Sequence, residues 1–173
     1  MPGPRDDRSF EELYRRHQPG VLNYVYRISG GNANLAEDVA QQVFLNFWTH
    51  RAEYDLTKPL TPLLLTMARN AWVNAVKRED YRKAAPLQED LAAASPAAQA
   101  RPGGLEEREL EEVLERALAA LEPAVREVFV LSRYHEMKYN EIASMLGVSV
   151  KTVEARLSRA LRDLEEKLKD FLK

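Results

Sequence analysis

Two sets of side chains in this sequence have the chemistry to read a nucleic acid. In the first, Lys151, Arg156, Arg159 and Arg162 follow directly on the stretch Tyr139-Asn-Glu-Ile-Ala143-Ser-Met-Leu146-Gly147-Val148-Ser149. Cationic side chains hold phosphates, and the forked guanidinium can also donate two hydrogen bonds to one base edge. In the second, Asn70, Asn74 and the pair Lys77 and Arg78 recur at i, i+4 and i+7/i+8, the spacing of one helical face. Asparagine amides match base edges, with the cations alongside for the backbone. The loop Thr57-Lys58-Pro59-Leu60-Thr61 precedes that face and could shape a small pocket for an unstacked base.

The first set needs a scaffold that pushes one helix away from the body of the protein. A helix, a tight turn and a second helix do this when the backbones meet at a small residue and the turn allows positive φ. Ala143 and Gly147 supply these, and Ile142, Leu146, Val148 and Val153 supply apolar positions to lock the crossing. Ser149 is a good N-cap for the second helix. An ordinary αα-hairpin in a bundle would need only part of this coincidence. With the clustered cations, the helix-turn-helix reading is preferred.

A net charge of −2 excludes a protein that coats nucleic acid by bulk charge. Contact must come from local patches. Arg69, Lys77, Arg78, Arg82 and Lys83 form one against Glu79 and Asp80, and Lys151 to Arg162 forms the other against Glu154. Between them, Leu105 to Glu122 is strongly acidic. Two basic islands in an acidic chain predict modest unaided affinity and a large partner that adds binding energy. Catalysis is not expected. His17, His50 and His135 stand in no metal-ligand spacing, and neither a phosphate-binding glycine loop nor a nucleophile elbow is present. No cofactor and no metal are expected. The chain has no cysteine, no signal-peptide core at its N-terminus and no apolar run near the ~20 residues of a membrane span, so a cytoplasmic location is expected without membrane insertion.

An apolar fraction of 45% with 30% charged residues and helical spacing almost throughout predicts an all-α fold. Ser9 and Glu12 read as a capping box opening a first helix through Phe10, Leu13, Tyr14 and His17. Pro19 is expected in the first turn of a second helix, closed by Ser29-Gly30-Gly31-Asn32. Asn34 is expected to cap a third through about Trp48, and a fourth should run from about Thr61 to Lys83. Ala84 to Gly104 turns to Ala, Pro, Gln and Ser and reads as a flexible linker. The expected organisation is therefore two small helical domains, 8–84 and 105–173, joined by a linker at 85–104, the C-terminal one containing the helix-turn-helix. That second domain opens with a helix carrying Leu110, Val113, Leu114, Leu118 and Leu121. A Pro123-punctuated helix follows, with Val125, Val128, Phe129 and Leu131.

Taken together these pieces resemble the extracytoplasmic-function class of bacterial sigma factors, from about Phe10 to Leu168. Ala36-Glu37-Asp38-Val-Ala-Gln41-Gln-Val-Phe44-Leu-Asn-Phe-Trp48 is similar to the family's polymerase-docking segment. Ala68-Arg69-Asn70, with Asn74 and Lys77-Arg78, is similar to the helix facing the −10 promoter element. Leu121-Glu-Pro123-Ala-Val-Arg126-Glu-Val-Phe129 resembles the entry to the −35-binding domain, whose recognition helix corresponds to Thr152-Val-Glu154-Ala-Arg156-Leu-Ser158-Arg159-Ala160.

The resemblance implies a subunit that binds core RNA polymerase and promoter DNA, melts the −10 element and performs no catalysis. Polymerase contacts would come from Glu37, Asp38, Gln41, Gln42, Phe44 and Trp48. The −10 contacts would come from Lys58, Arg69, Asn70, Asn74, Lys77 and Arg78, and the −35 contacts from Lys151, Thr152, Glu154, Ala155, Arg156, Ser158 and Arg159, with Arg156 and Arg159 foremost. An anti-sigma factor is a further implied partner. The family often has an acid at Gln42 and at Asn74, aromatic residues near Leu60 and Leu63, and Lys or Arg at Glu154. A carboxylate at Glu154 repels phosphate but can accept from a cytosine amine. The rival readings are a stand-alone helix-turn-helix regulator dimerising on a palindrome, and an enzyme with an accessory DNA-binding module. The first predicts a dimer seam or effector pocket in the N-terminal half, which instead carries the motifs similar to polymerase docking and −10 contact, and the second lacks site residues.

Overall fold

The computed structural model describes residues 4–83 and 104–171. The expected linker falls outside them except for Gly104. Among the described residues there are seven α-helices and a short 3-10 turn, with no strand. The helices are α1 (Pro4–Ile28), α2 (Ala33–Thr49), α3 (Leu60–Lys83), α4 (Leu105–Ala119), α5 (Pro123–Arg133), α6 (Tyr139–Leu146) and α7 (Val150–Phe171). The all-α expectation holds. The described residues group into two compact units, 4–25 with 33–83, and 26–32 with 104–171.

In the first unit α2 carries the core. Ala36, Val39, Ala40, Val43, Phe44 and Phe47 are buried at the i, i+3, i+4, i+7 spacing of an amphipathic helix. Val21, Tyr24 and Val25 of α1 and Leu64, Leu65 and Ala68 of α3 are buried with them. Aromatic rings tie the N-terminal part of α1 to α2: Phe10 lies 4.6 Å from Trp48 and Tyr14 lies 4.9 Å from Phe44, between ring centroids.

One local signal is overridden here. Instead of two helices meeting at Pro19, α1 runs unbroken from Pro4 to Ile28 with Pro19 inside it. Ser9 therefore lies within the helix and does not cap it. A proline in a helix interior removes one backbone hydrogen bond and costs about 3 kcal/mol. The ring contacts before it and the buried Val21, Tyr24 and Val25 after it favour one continuous helix strongly enough to offset that cost. Asn34 is likewise one residue inside α2, which begins at Ala33.

In the second unit α5 is central, with every residue from Val125 to Leu131 buried. Pro123 occupies its first turn, where a missing N–H costs nothing. Buried Arg126 donates from Nη1 to the Ala119 carbonyl at 3.1 Å, closing the end of α4. Burial pushes the Arg126 pKa down from its ordinary value. Residues 26–32 belong to this unit: Arg27 Nε meets Glu115 at 3.0 Å and the guanidinium carbon lies 3.8 Å over the Tyr134 ring. Ala117 and Leu118 of α4, Ile142 and Ala143 of α6, and Val153, Leu157, Ala160 and Leu164 of α7 complete the core.

Candidate nucleic-acid interface

The turn between α6 and α7 is built from local chemistry. Gly147 takes φ +66°, ψ 35°, the left-handed conformation in which glycine has no steric penalty. The Val148 N–H then reaches back to the Ala143 carbonyl at 3.1 Å. Ser149 Oγ accepts the Thr152 N–H at 3.1 Å, capping α7. At the other end of α6, Glu141 Oε2 accepts the Lys138 N–H at 2.9 Å. Ile142 and Val153 are fully buried across the turn, and Leu146 and Val148 half-buried.

Burial of Val153, Leu157, Ala160 and Leu164 on one side of α7 decides what the other side presents. Ala155 and Arg162 are exposed at the centre of the outward face, with Lys151, Ser158 and Arg159 exposed to either side and Glu154 exposed further round. Thr152 and Arg156 are half-buried, towards the core edge. Arg156 is therefore peripheral to the face. Arg162, named among the cations of this helix but not among the expected −35 contacts, is central to it. The i, i+4, i+7, i+11 spacing from Lys151 was the available signal. Arg159 Nη1 pairs with Glu122 at 2.6 Å, and its Nε lies 3.6 Å from Asp163.

On α3, Asn70, Asn74, Lys77 and Arg78 are all exposed, on one face as the spacing requires, whereas Arg69 is half-buried. The preceding loop is shaped by Asp55, whose Oδ1 accepts the Thr57 N–H at 3.0 Å and also the Thr57 hydroxyl. These two hydrogen bonds, the hydroxyl's first, hold the Asp55 carboxyl below its ordinary pKa. Thr57, Lys58 and Pro59 are exposed, and Leu60 and Thr61 already belong to α3. Asp55 was missed as a positioning residue, although Asp two before Thr is the local signal of such a turn.

On α2, Glu37, Asp38, Gln41 and Gln42 are exposed together with Leu45, itself 69% exposed. Phe44 is 2% exposed and packs against Tyr14; Trp48 is half-buried between Phe10 and the Arg51 guanidinium. Both rings serve the core of the first unit. The three histidines share no site. Among the described residues no group of three or more His, Cys, Asp or Glu could hold a metal ion.

Comparison with known proteins places these faces in context. Residues 13–82 match the family model described as Sigma-70 region 2, and residues 111–164 match Sigma-70, region 4. RNA polymerase sigma factor CarQ of Myxococcus xanthus is 32% identical over 160 residues, covering 92% of this chain and 89% of that protein. The chain belongs to the sigma-70 family, in its extracytoplasmic-function class. ECF RNA polymerase sigma factor SigM of Bacillus subtilis (strain 168) is 27% identical over 164 residues, covering 91% and 93%.

Among solved structures, CnrH in complex with the cytosolic domain of CnrY superposes with a TM-score of 0.63 at 27% identity, covering 95% of this chain and 90% of that one. The sigma factor RpoE in complex with the anti-sigma factor NepR from Bartonella quintana shares the fold at a TM-score of 0.74 and 23% identity, over 93% and 97%. The protein is thus an RNA polymerase sigma factor, a non-catalytic initiation subunit. The turn built on Gly147 and Ser149 lies in its region 4, and the Asn70–Arg78 face in its region 2.

Proposed function

We propose that this sigma factor divides its work among three helix faces. The exposed side of α2, Glu37, Asp38, Gln41 and Gln42, docks on core RNA polymerase, with Phe44 and Trp48 supporting it from beneath. Asn70 and Asn74 on α3 hold an extruded base of the non-template −10 strand, while Lys58, Lys77 and Arg78 hold its phosphates and Arg69 positions the helix. Base capture offsets an unstacking cost of a few kcal/mol. On α7, the outward face of Lys151, Glu154, Ala155, Ser158 and Arg159 reads the −35 major groove. Arg162 joins that face, and Thr152 and Arg156 contribute from its edge.

Two functional domains, 8–84 and 105–173, would then act on one promoter through a tether at 85–104. A cytoplasmic location fits this reading, and no helix among the described residues is long and apolar enough to cross a membrane. One solved structure of this fold is a sigma factor in complex with the anti-sigma factor NepR, and we extend such a partner to this protein. The observation carrying the proposal is that two exposed, polar and cationic helix faces coincide with the two family-matched segments.

The test is transcription in vitro. Core polymerase with the purified chain should initiate at a discrete promoter selected from random DNA. Asp38→Ala or Gln41→Ala should reduce association with polymerase, and Asn74→Ala should reduce open-complex formation more than polymerase binding. Tight binding to a palindrome without polymerase, and no initiation with it, would refute the proposal in favour of a stand-alone regulator.

A further inference from the structure

We infer that Glu122, at the junction of α4 and α5, is a latch on the recognition helix that sets how strongly Arg159 reads DNA. The inference rests on the assignment of α7 to the −35 element made above. Arg159 has two edges that can make paired hydrogen bonds, Nη1 with Nη2 and Nε with Nη2. In this structure Glu122 Oε2 engages Nη1 at 2.6 Å, and Asp163 Oδ2 lies 3.6 Å from Nε. Glu122 therefore holds a donor of the first edge, whereas Asp163 stands beyond hydrogen-bond range of Nε and acts on the second edge only through its charge. A bidentate contact to guanine O6 and N7 through the Nη1/Nη2 edge needs both of its donors and so competes with Glu122 for Nη1.

The latch is built to release. The side chains of Arg159 and Glu122 are 52% and 51% exposed, so water and salt screen the pair and little is lost on opening. The two partners also come from different elements. Glu122 is the N-cap residue of α5 and makes no side-chain capping bond, leaving its carboxylate available for Arg159. Asp163 is on α7 itself, one turn beyond Arg159. A DNA phosphate or guanine competes with Glu122 for one guanidinium. Wild-type affinity is thereby lowered and dissociation made easier.

The experiment uses full-length protein in holoenzyme. The probe is a promoter duplex whose −35 element is selected from random sequence by wild-type holoenzyme. Wild type, Glu122→Gln, Arg159→Ala and the double variant are compared for affinity across a salt series, with thermal melting as a folding control. Glu122→Gln should bind two- to fivefold more tightly, the range an exposed ion pair allows. Its salt dependence should steepen by about one counterion, because a freed cation now meets phosphate.

Both effects should vanish in the Arg159→Ala background, which isolates the coupling between the two residues. A gain that persists without Arg159 would overturn the latch and identify bulk charge as the cause. Weaker binding by Glu122→Gln would overturn it in favour of a buttress that orients Arg159 for DNA. If Arg159→Ala alone leaves affinity unchanged, the assignment of Arg159 to DNA fails and the latch falls with it.

Discussion

Replacing Gly147 by alanine tests the helix-turn-helix at its most local point. The residue sits at φ +66°, ψ 35°, and a Cβ added there meets no heavy atom within 4 Å. Steric collision is therefore absent, and the cost is conformational. An L-residue in the left-handed region costs about 1–2 kcal/mol. Alanine also lowers the entropy of the unfolded chain, which returns about 0.4–1 kcal/mol. The net loss should be about 1 kcal/mol, or about 4–8 °C in the melting temperature of a unit this size. Asparagine tolerates the left-handed region, so Gly147→Asn should lose less than alanine does.

Trp48 and Trp72, the only two tryptophans of the chain, lie in the first compact unit, so their fluorescence follows that unit. The loss should appear in amide exchange at buried Ile142 and Val153, with tryptophan fluorescence unchanged. A loss above about 3 kcal/mol would show that the space around residue 147 is not open. No loss at all would show that the turn does not depend on a left-handed residue, and the account of how α7 is aimed would fail with it.

Further expectations concern pH, DNA and polymerase. Burial first, and the Arg27 charge second, hold His135 down to about 4 from its ordinary 6.5. Between those values the unfolded chain binds the extra proton and the folded chain does not, so stability rises with pH through this window and falls on acidification. The full effect is on the order of 3 kcal/mol. His135→Gln should flatten the melting temperature between pH 6.5 and 5, and an unaltered slope would contradict this assignment. Lys151→Ala and Arg162→Ala should each weaken promoter binding with a salt slope shallower by about one, leaving polymerase association intact in a pull-down. Replacing Asp38 should do the reverse, and equal loss of both activities in either case would count against separate faces.

How much of this was legible in the amino-acid order depends on the range of the interaction. The helix-turn-helix was readable because its determinants are local: Gly147 for the left-handed turn, Ser149 for the cap, Ile142 and Val153 for the lock. The α3 face was readable for the same reason, since four exposed residues at helical spacing need only the helix to exist. Pro19 shows the opposite case. Its local preference for a boundary lost to ring contacts and buried side chains along α1, a sum that no short window contains.

Tertiary packing also decided which polar groups are available. It turned Phe44 into the core while leaving Asp38 and Gln41 outside, and it rotated α7 so that Arg162 is central and Arg156 peripheral. The pairing of Arg159 with Glu122 joins α7 to the junction before α5, two elements distant in the chain. Side-chain periodicity and turn chemistry act over a few residues and can be read from order alone. The partner of a given charge is set by which helices meet, and only the packed fold determines that.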